Sequence, residues 1–213
     1  AVLFPFFYGL SAALQLFAER GVTQLSVSDL AQYAGVARGT VYNNFSSMES
    51  LFEDIATNLT IEMSGRIIQT LAQTEDPALR LANGVRFYVR RAHEEPNWGR
   101  FIIRFGATTP TLRNLLEGQP TIELRQGVQS GRFKLEADQL VSAVALMSGG
   151  VLTAISLVLD GHRTWRDAGN DMAELCLRAF GVTPKEAQRL ANLELPPLPK
   201  LVKPKVSDSA TRK

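Results

Sequence analysis

The chain has 213 residues, 45% of them apolar and 21% charged, with a formal net charge of +2. That length can bury a substantial core, as one large domain or two small ones, and the composition is that of a soluble globular protein. The single cysteine, Cys176, excludes an intrachain disulfide and fits a reducing, cytoplasmic setting; with only two histidines beside it, a His/Cys metal cluster is excluded too, and no cofactor is expected.

The charge is unevenly placed. Residues 196–213 hold Lys200, Lys203, Lys205, Arg212 and Lys213 against Asp208, so the body before them is net negative. Residues 1–50 hold Arg20 and Arg38 against Glu19, Asp29 and Glu49.

Residues 1–9, AVLFPFFYG, lack the cationic start and cleavage site of a secretory signal and are too short to span a bilayer. Two readings stand: a truncated or altered start, or an apolar turn packed on the first helix. Leu10, Ala13, Leu14, Phe17 and Ala18 then form a helical stripe that stops at Gly21.

Residues 27–45, VSDLAQYAGVARGTVYNNF, organise the rest. Val27, Leu30, Ala31 and Ala34 make one apolar face, Ser26 and Asp29 have capping-box spacing, and Gly35 ends the helix. A second short helix starts at Arg38, with Ala37, Val41 and Phe45 expected inward. Gly39 and Asn43 point outward, flanked by Arg38, Thr40 and Tyr42. Two short helices joined by a glycine turn are a helix-turn-helix arrangement.

Ser46 and Glu49 give a further N-cap pair. A long helix follows with Leu51, Phe52, Ile55, Leu59, Met63 and Ile67 on one side, and the domain boundary is placed near residue 50. Asp76-Pro77 opens a helix striped by Ala78, Leu81, Ala82, Val85, Tyr88, Val89 and Ala92. Asn97 is expected to cap a short helix carrying Trp98, Phe101, Ile102 and Phe105. Thr109-Pro110 opens the next, which Gly118 and Pro120 break or kink before it runs to about Ser130.

Residues 139–159 contain no charged residue. The stretch is long enough to cross a membrane. Its serines, glycines and Thr153, and the lack of a second span, favour a buried helix of a soluble protein instead. Ala145, Gly149 and Thr153 form a small face that lets another helix approach. Trp165, Ala168, Met172, Leu175 and Ala179 stripe a last long helix, ended by Gly181. After Thr183-Pro184 and a short helix, residues 196–213 are too rich in Pro and Lys to build a core and read as an extended tail.

The segments LFAERG and AGV-x-x-GTVY-x-x-F resemble the DNA-binding domain of TetR-type transcriptional regulators, over roughly the first 60 residues. The resemblance implies an all-α chain. Residues 1–50 would be a three-helix DNA-binding domain, 51–195 a larger helical effector-binding and dimerisation domain, and 196–213 the tail. It implies a homodimer through residues 139–159 and 165–180, a pseudo-palindromic double-stranded operator, a small apolar or amphipathic effector, no membrane and no enzymatic activity. A repressor released by its effector is the expected function.

The candidate DNA contacts are Ser26, Ser28, Arg38, Gly39, Thr40, Tyr42, Asn43 and Asn44. Arg38 can bind guanine in a two-pronged manner and Asn43 adenine. Gly39 lets the backbone approach, Thr40 offers a hydroxyl to phosphate or a methyl to thymine, and Ser26 and Ser28 offer amides and hydroxyls to phosphate. By the resemblance Tyr42 grips phosphate. Asn44 and Met48 depart from the family pattern, standing where an aromatic or His and a Lys are frequent. With so few cations in the head, a shallow salt dependence is expected. The candidate effector lining is Trp98, Phe101, Arg104, Phe105, Phe133 and Met147, with Arg104 able to hold an anionic group. His93 reads as a helix-dipole partner, His162 as exposed, and Cys176 as a buried structural thiol. No phosphate loop, nucleophile elbow or dinucleotide fingerprint is present. An all-helical adaptor or small-molecule-binding protein that never meets DNA is the alternative.

Overall fold

The computed structural model describes residues 3–45 and 47–199, with side chains from Ser11 onward except that of Asn44. Ser46, the expected cap, and residues 200–213 of the tail lie outside this set. Among the described residues every element is helical, in accord with the all-α expectation: α1 Leu3–Arg20, α2 Val27–Ala34, α3 Arg38–Asn44, α4 Leu51–Leu71, α5 Pro77–Glu94, α6 Pro96–Phe105, α7 Pro110–Gln129, α8 Leu140–Leu159, α9 Trp165–Ala179 and α10 Pro184–Ala191, with one 3-10 turn at Ala137–Gln139.

Helix α1 begins earlier than the stripe suggested. Pro5 falls in its first turn, where backbone N–H groups have no helical acceptor and proline costs little. Helices α1, α2, α7, α8 and α9 stop where glycine turns left-handed: Gly21, Gly35, Gly131, Gly161 and Gly181 all have positive φ. Helix α7 runs unbroken through Pro120.

Two expected caps, Asn97 and Thr109, are corrected. Asn97 lies inside α6, which starts at Pro96, and its amide donates to Ser11 and Gln15 of α1. Thr109 and Thr183 stand at the N-cap positions of α7 and α10, before Pro110 and Pro184, but make no side-chain capping bond. Asp76 does cap, accepting from the Ala78 N–H at 3.0 Å.

One apolar core runs through the molecule. The α4 and α5 stripes are buried as the spacing requires. Phe17 of α1, Phe52 of α4, and Phe101 and Phe105 of α6 form an aromatic cluster where the first three helices meet the rest. Helix α8 packs against α5, α6, α7 and α9 on its inner side. Gly150 of α8 makes room for Met172 of α9, since a Cβ there would meet the Met172 sulfur at 2.5 Å.

The α9 stripe is corrected in phase. Its inner face is Ala168, Ala173, Cys176 and Leu177, while Leu175 and Ala179 face outward. Burial pushes the Cys176 thiol up to about 12, as expected of a structural cysteine.

The far end of the chain returns to α4. Arg66, almost fully buried, donates to the backbone carbonyls of Leu198 at 2.7 Å and Pro199 at 3.0 Å, and pairs with Glu62 at 2.9 Å. Glu62 also binds Arg91 at 2.6 Å, whose guanidinium lies 4.7 Å over the Trp98 ring.

Candidate nucleic-acid interface and effector cavity

The helix pair forms as its caps dictate. Asp29 N–H donates to the Ser26 hydroxyl oxygen at 3.0 Å and Ser26 N–H to the Asp29 carboxylate at 3.3 Å, the reciprocal capping box. The Ser26 hydroxyl also donates to that carboxylate. Gly35, at φ 65°, closes α2, and the Val36 N–H returns to the Ala31 carbonyl at 3.0 Å. Leu30, Ala31, Ala34 and Val41 are buried between the helices. Ala37 is exposed, against expectation, because it stands at the N-cap of α3 before the helix turns inward.

Helix α3 therefore shows one polar outer face. Arg38, Gly39, Tyr42 and Asn43 are exposed and Thr40 is half-buried. Tyr42 is 67% exposed. Nothing stands within 4 Å of the position a Gly39 Cβ would occupy, so its backbone is open to an incoming surface. Ser28 is exposed at the start of α2, beside Ser26. The Ser26 hydroxyl is engaged in the cap on both its donor and acceptor sides. The backbone of Asn44 ends α3; its side chain lies outside the described residues.

The head's charges are mostly spent internally. Arg20 pairs with Asp29 at 2.9 Å, and the Ser26 hydrogen bond, then Arg20, hold the Asp29 carboxyl below its usual range. Glu19 accepts from Gln15 and from the Tyr33 hydroxyl, which lower its carboxyl. Arg38 makes no ion pair among the described residues.

A cavity of about 50 Å³ lies in the body between α4, α5, α7 and α8. Ile67, Leu71, Leu81, Val85, Met147 and Val151 supply apolar wall. Arg80 of α5 and Glu123 of α7 hold each other through two bonds, 2.7 and 2.5 Å, and the Gln119 amide donates to Glu123 at 2.7 Å. The Tyr88 hydroxyl donates to the Leu115 carbonyl at 2.8 Å.

Of the six expected lining residues, Met147 alone is in this wall. Trp98, Phe101 and Phe105 are buried against neighbouring rings in the core, Phe105 and Phe101 with Phe52, and Trp98 with Tyr88. Phe133 packs edge-on against Phe180 at 5.8 Å. Arg104 is exposed and lies over the Gly21 turn, where a Cβ would meet its guanidinium. The Arg80–Glu123 pair was missed, since residues 43 apart leave no local spacing to read.

Comparison with known proteins gives two family matches. The family described as bacterial regulatory proteins, tetR family, matches residues 10–55. The tetracyclin repressor-like C-terminal domain matches residues 76–193, more than half of the chain. The chain belongs to the TetR family.

This TetR-family chain is 39% identical over 67 residues to an uncharacterized HTH-type transcriptional regulator, YvdT, of Bacillus subtilis (strain 168), covering 32% of this chain and 34% of that protein. It is 34% identical over 67 residues to the HTH-type transcriptional repressor KstR2 of Rhodococcus jostii (strain RHA1), covering 32% and 33%. The matched stretch thus spans about a third of the length of these curated relatives. Among solved structures, RolR in complex with its ligand resorcinol superimposes with a TM-score of 0.67 at 30% identity, over 92% of this chain and 96% of that one.

Proposed function

We infer that this protein is a sequence-specific DNA-binding transcriptional regulator of the cytoplasm, a repressor released by a small-molecule effector. One observation carries the reading: α3 buries Val41 and turns Arg38, Gly39, Tyr42 and Asn43 outward, an exposed donor-rich face on a short helix held by α2. Arg38 and Asn43 are assigned to base edges. Tyr42, Thr40, Ser28, Asn44 and the open amides at the start of α2 are assigned to phosphates, with Ser26 acting chiefly as the cap.

The protein works as a homodimer. Ala145, Gly149 and Thr153 are exposed on α8 together with Val141 and Leu146, and Leu175 is exposed on α9. Apolar exposure of this kind on adjacent helices marks an association surface. Residues 1–50 serve as head, 51–195 as body and 196–213 as tail.

The cavity is the effector site, in keeping with the ligand complex of RolR. Helix α4 links it to the head: Ile67 and Leu71 line the cavity, while Phe52 meets Phe17 of α1 with centroids 5.2 Å apart. An effector that displaces α4 shifts the population between head spacings of different operator affinity. No residue set for catalysis is assigned.

Selection of random double-stranded DNA by the purified protein tests this reading. An enriched inverted repeat, bound by the wild type and lost on Arg38→Ala, is the expected result. Enrichment of no sequence, or binding unaffected by Arg38→Ala and Asn43→Ala, would favour the adaptor reading.

A further inference from the structure

The polar groups around the cavity divide into those already engaged and those left open. Tyr88 donates its proton to Leu115, and the Ser148 hydroxyl donates to the Val144 carbonyl at 2.9 Å. Arg80 and Glu123 neutralise each other, and Gln119 completes the carboxylate's shell. The Glu123 side chain is only 7% exposed. The cavity wall therefore carries no net charge, and its one cation is already bidentate.

An anionic ligand would have to draw Arg80 away from Glu123. That leaves a buried carboxylate without its counter-ion, which is far more costly than the pair itself. What the cavity leaves open is one neutral hydroxyl and backbone acceptor capacity and, among the described residues, no free cation. Pro120 and Leu116 both line it, and Pro120 has no N–H to offer the Leu116 carbonyl one turn back. The Ser64 hydroxyl, on the α4 side, makes no hydrogen bond among the described residues. A backbone carbonyl deprived of its helical donor can accept from a ligand O–H.

We propose that the cavity takes a small, uncharged, apolar-bodied ligand carrying a hydroxyl group, which donates to the Leu116 carbonyl, and that it rejects the corresponding carboxylates. This rests on the effector reading above. The cavity's 50 Å³ is well below the roughly 150 Å³ of an engineered cavity that holds benzene. A ligand of one ring or a short chain therefore has to part the walls, and α4 is one of them.

The test uses the full chain and matched pairs of probes: benzyl alcohol against benzoate, and hexanol against hexanoate. Binding is read by calorimetry and by release of the selected operator. The alcohols should bind at least about tenfold more tightly than their carboxylates, the difference expected when a ligand must unpair a buried ion pair. In Glu123→Gln, where Arg80 faces a neutral partner, the preference should shift towards the carboxylates.

Carboxylates that bind as well as the alcohols, or better, overturn the proposed ligand class while leaving an effector cavity in place. A Glu123→Gln variant that folds and still rejects carboxylates also overturns it, because the neutral pair is then not what selects. If that variant fails to fold, the wild-type comparison decides alone. Binding of neither series overturns the proposal, while the Arg38 selection still decides the regulator reading separately.

Discussion

Phe52 of α4 meets Phe105 of α6 nearly edge to face, with ring centroids 4.9 Å apart and planes at 77°. The same Phe52 ring meets Phe17 of α1 at 88°. One side chain thus packs against both the first helix and the body. Truncation should both destabilise the fold and loosen the head. Phe52→Ala is expected to cost about 3–5 kcal/mol, as for other buried aromatics. Urea unfolding measures this; a loss below about 1 kcal/mol would mean the cluster closes over the gap.

The association surface gives a cleaner mutation, because its residues touch little in the single chain. Val141 is 80% exposed and Leu175 is 55% exposed. Val141→Asp with Leu175→Glu should leave monomer stability within about 0.5 kcal/mol. Light scattering on the eluted protein should show one chain instead of two. A variant that stays dimeric would place the interface elsewhere.

Salt dependence follows from the ion pairing in the head. Arg20 is held by Asp29, which leaves Arg38 as the cation facing outward on the reading helices. With one such cation per head, and that one assigned to a base, the slope in log affinity against log salt should be no steeper than about −2, the value for one neutralised phosphate per head at about −0.9 each. Titrating operator binding from low to high salt measures the slope for the full chain and for one ending at Pro199. A steeper slope lost on truncation would assign the excess to the lysines of residues 200–213.

Acid sensitivity is expected at Asp76. Burial alone would raise its carboxyl, but the bidentate Arg132 guanidinium, at 2.8 and 3.0 Å, and the Ala78 N–H outweigh it and hold it below the usual range. A depressed folded pKa stabilises the fold above the unfolded value of about 3.9 and loses that contribution as pH falls through the folded value. Asp76→Asn keeps the cap and removes the charge. Its deficit in Tm against wild type should be full near neutrality and shrink below about pH 4. A deficit that is constant with pH would show that the charge is not the source.

The helices were legible because their signals are local. The Ser26–Asp29 box, Asp76 before Pro77 and the glycine stops each act within one turn, and the α4 and α5 stripes report their own buried faces. The cavity was not legible for the converse reason. An apolar ring reads the same from sequence whether it faces a void or another ring, so Phe101 and Phe105 could not be told from Val85 and Val151. Arg80 and Glu123 meet only through the packing of α5 on α7. The exposed Leu175 shows the same limit, since a stripe gives the period of a helix more surely than its phase.

Arg66 also carries a consequence for the whole chain. Its guanidinium holds the carbonyls of Leu198 and Pro199, so the last described residues work as a splint across the middle of α4. Cut the chain after Leu195 and that guanidinium keeps Glu62 but loses both carbonyls, on the helix that carries the reading head. The last described residues and the helix behind the N-terminal three are thus mechanical neighbours: a load hung on Leu198 and Pro199 is felt along α4.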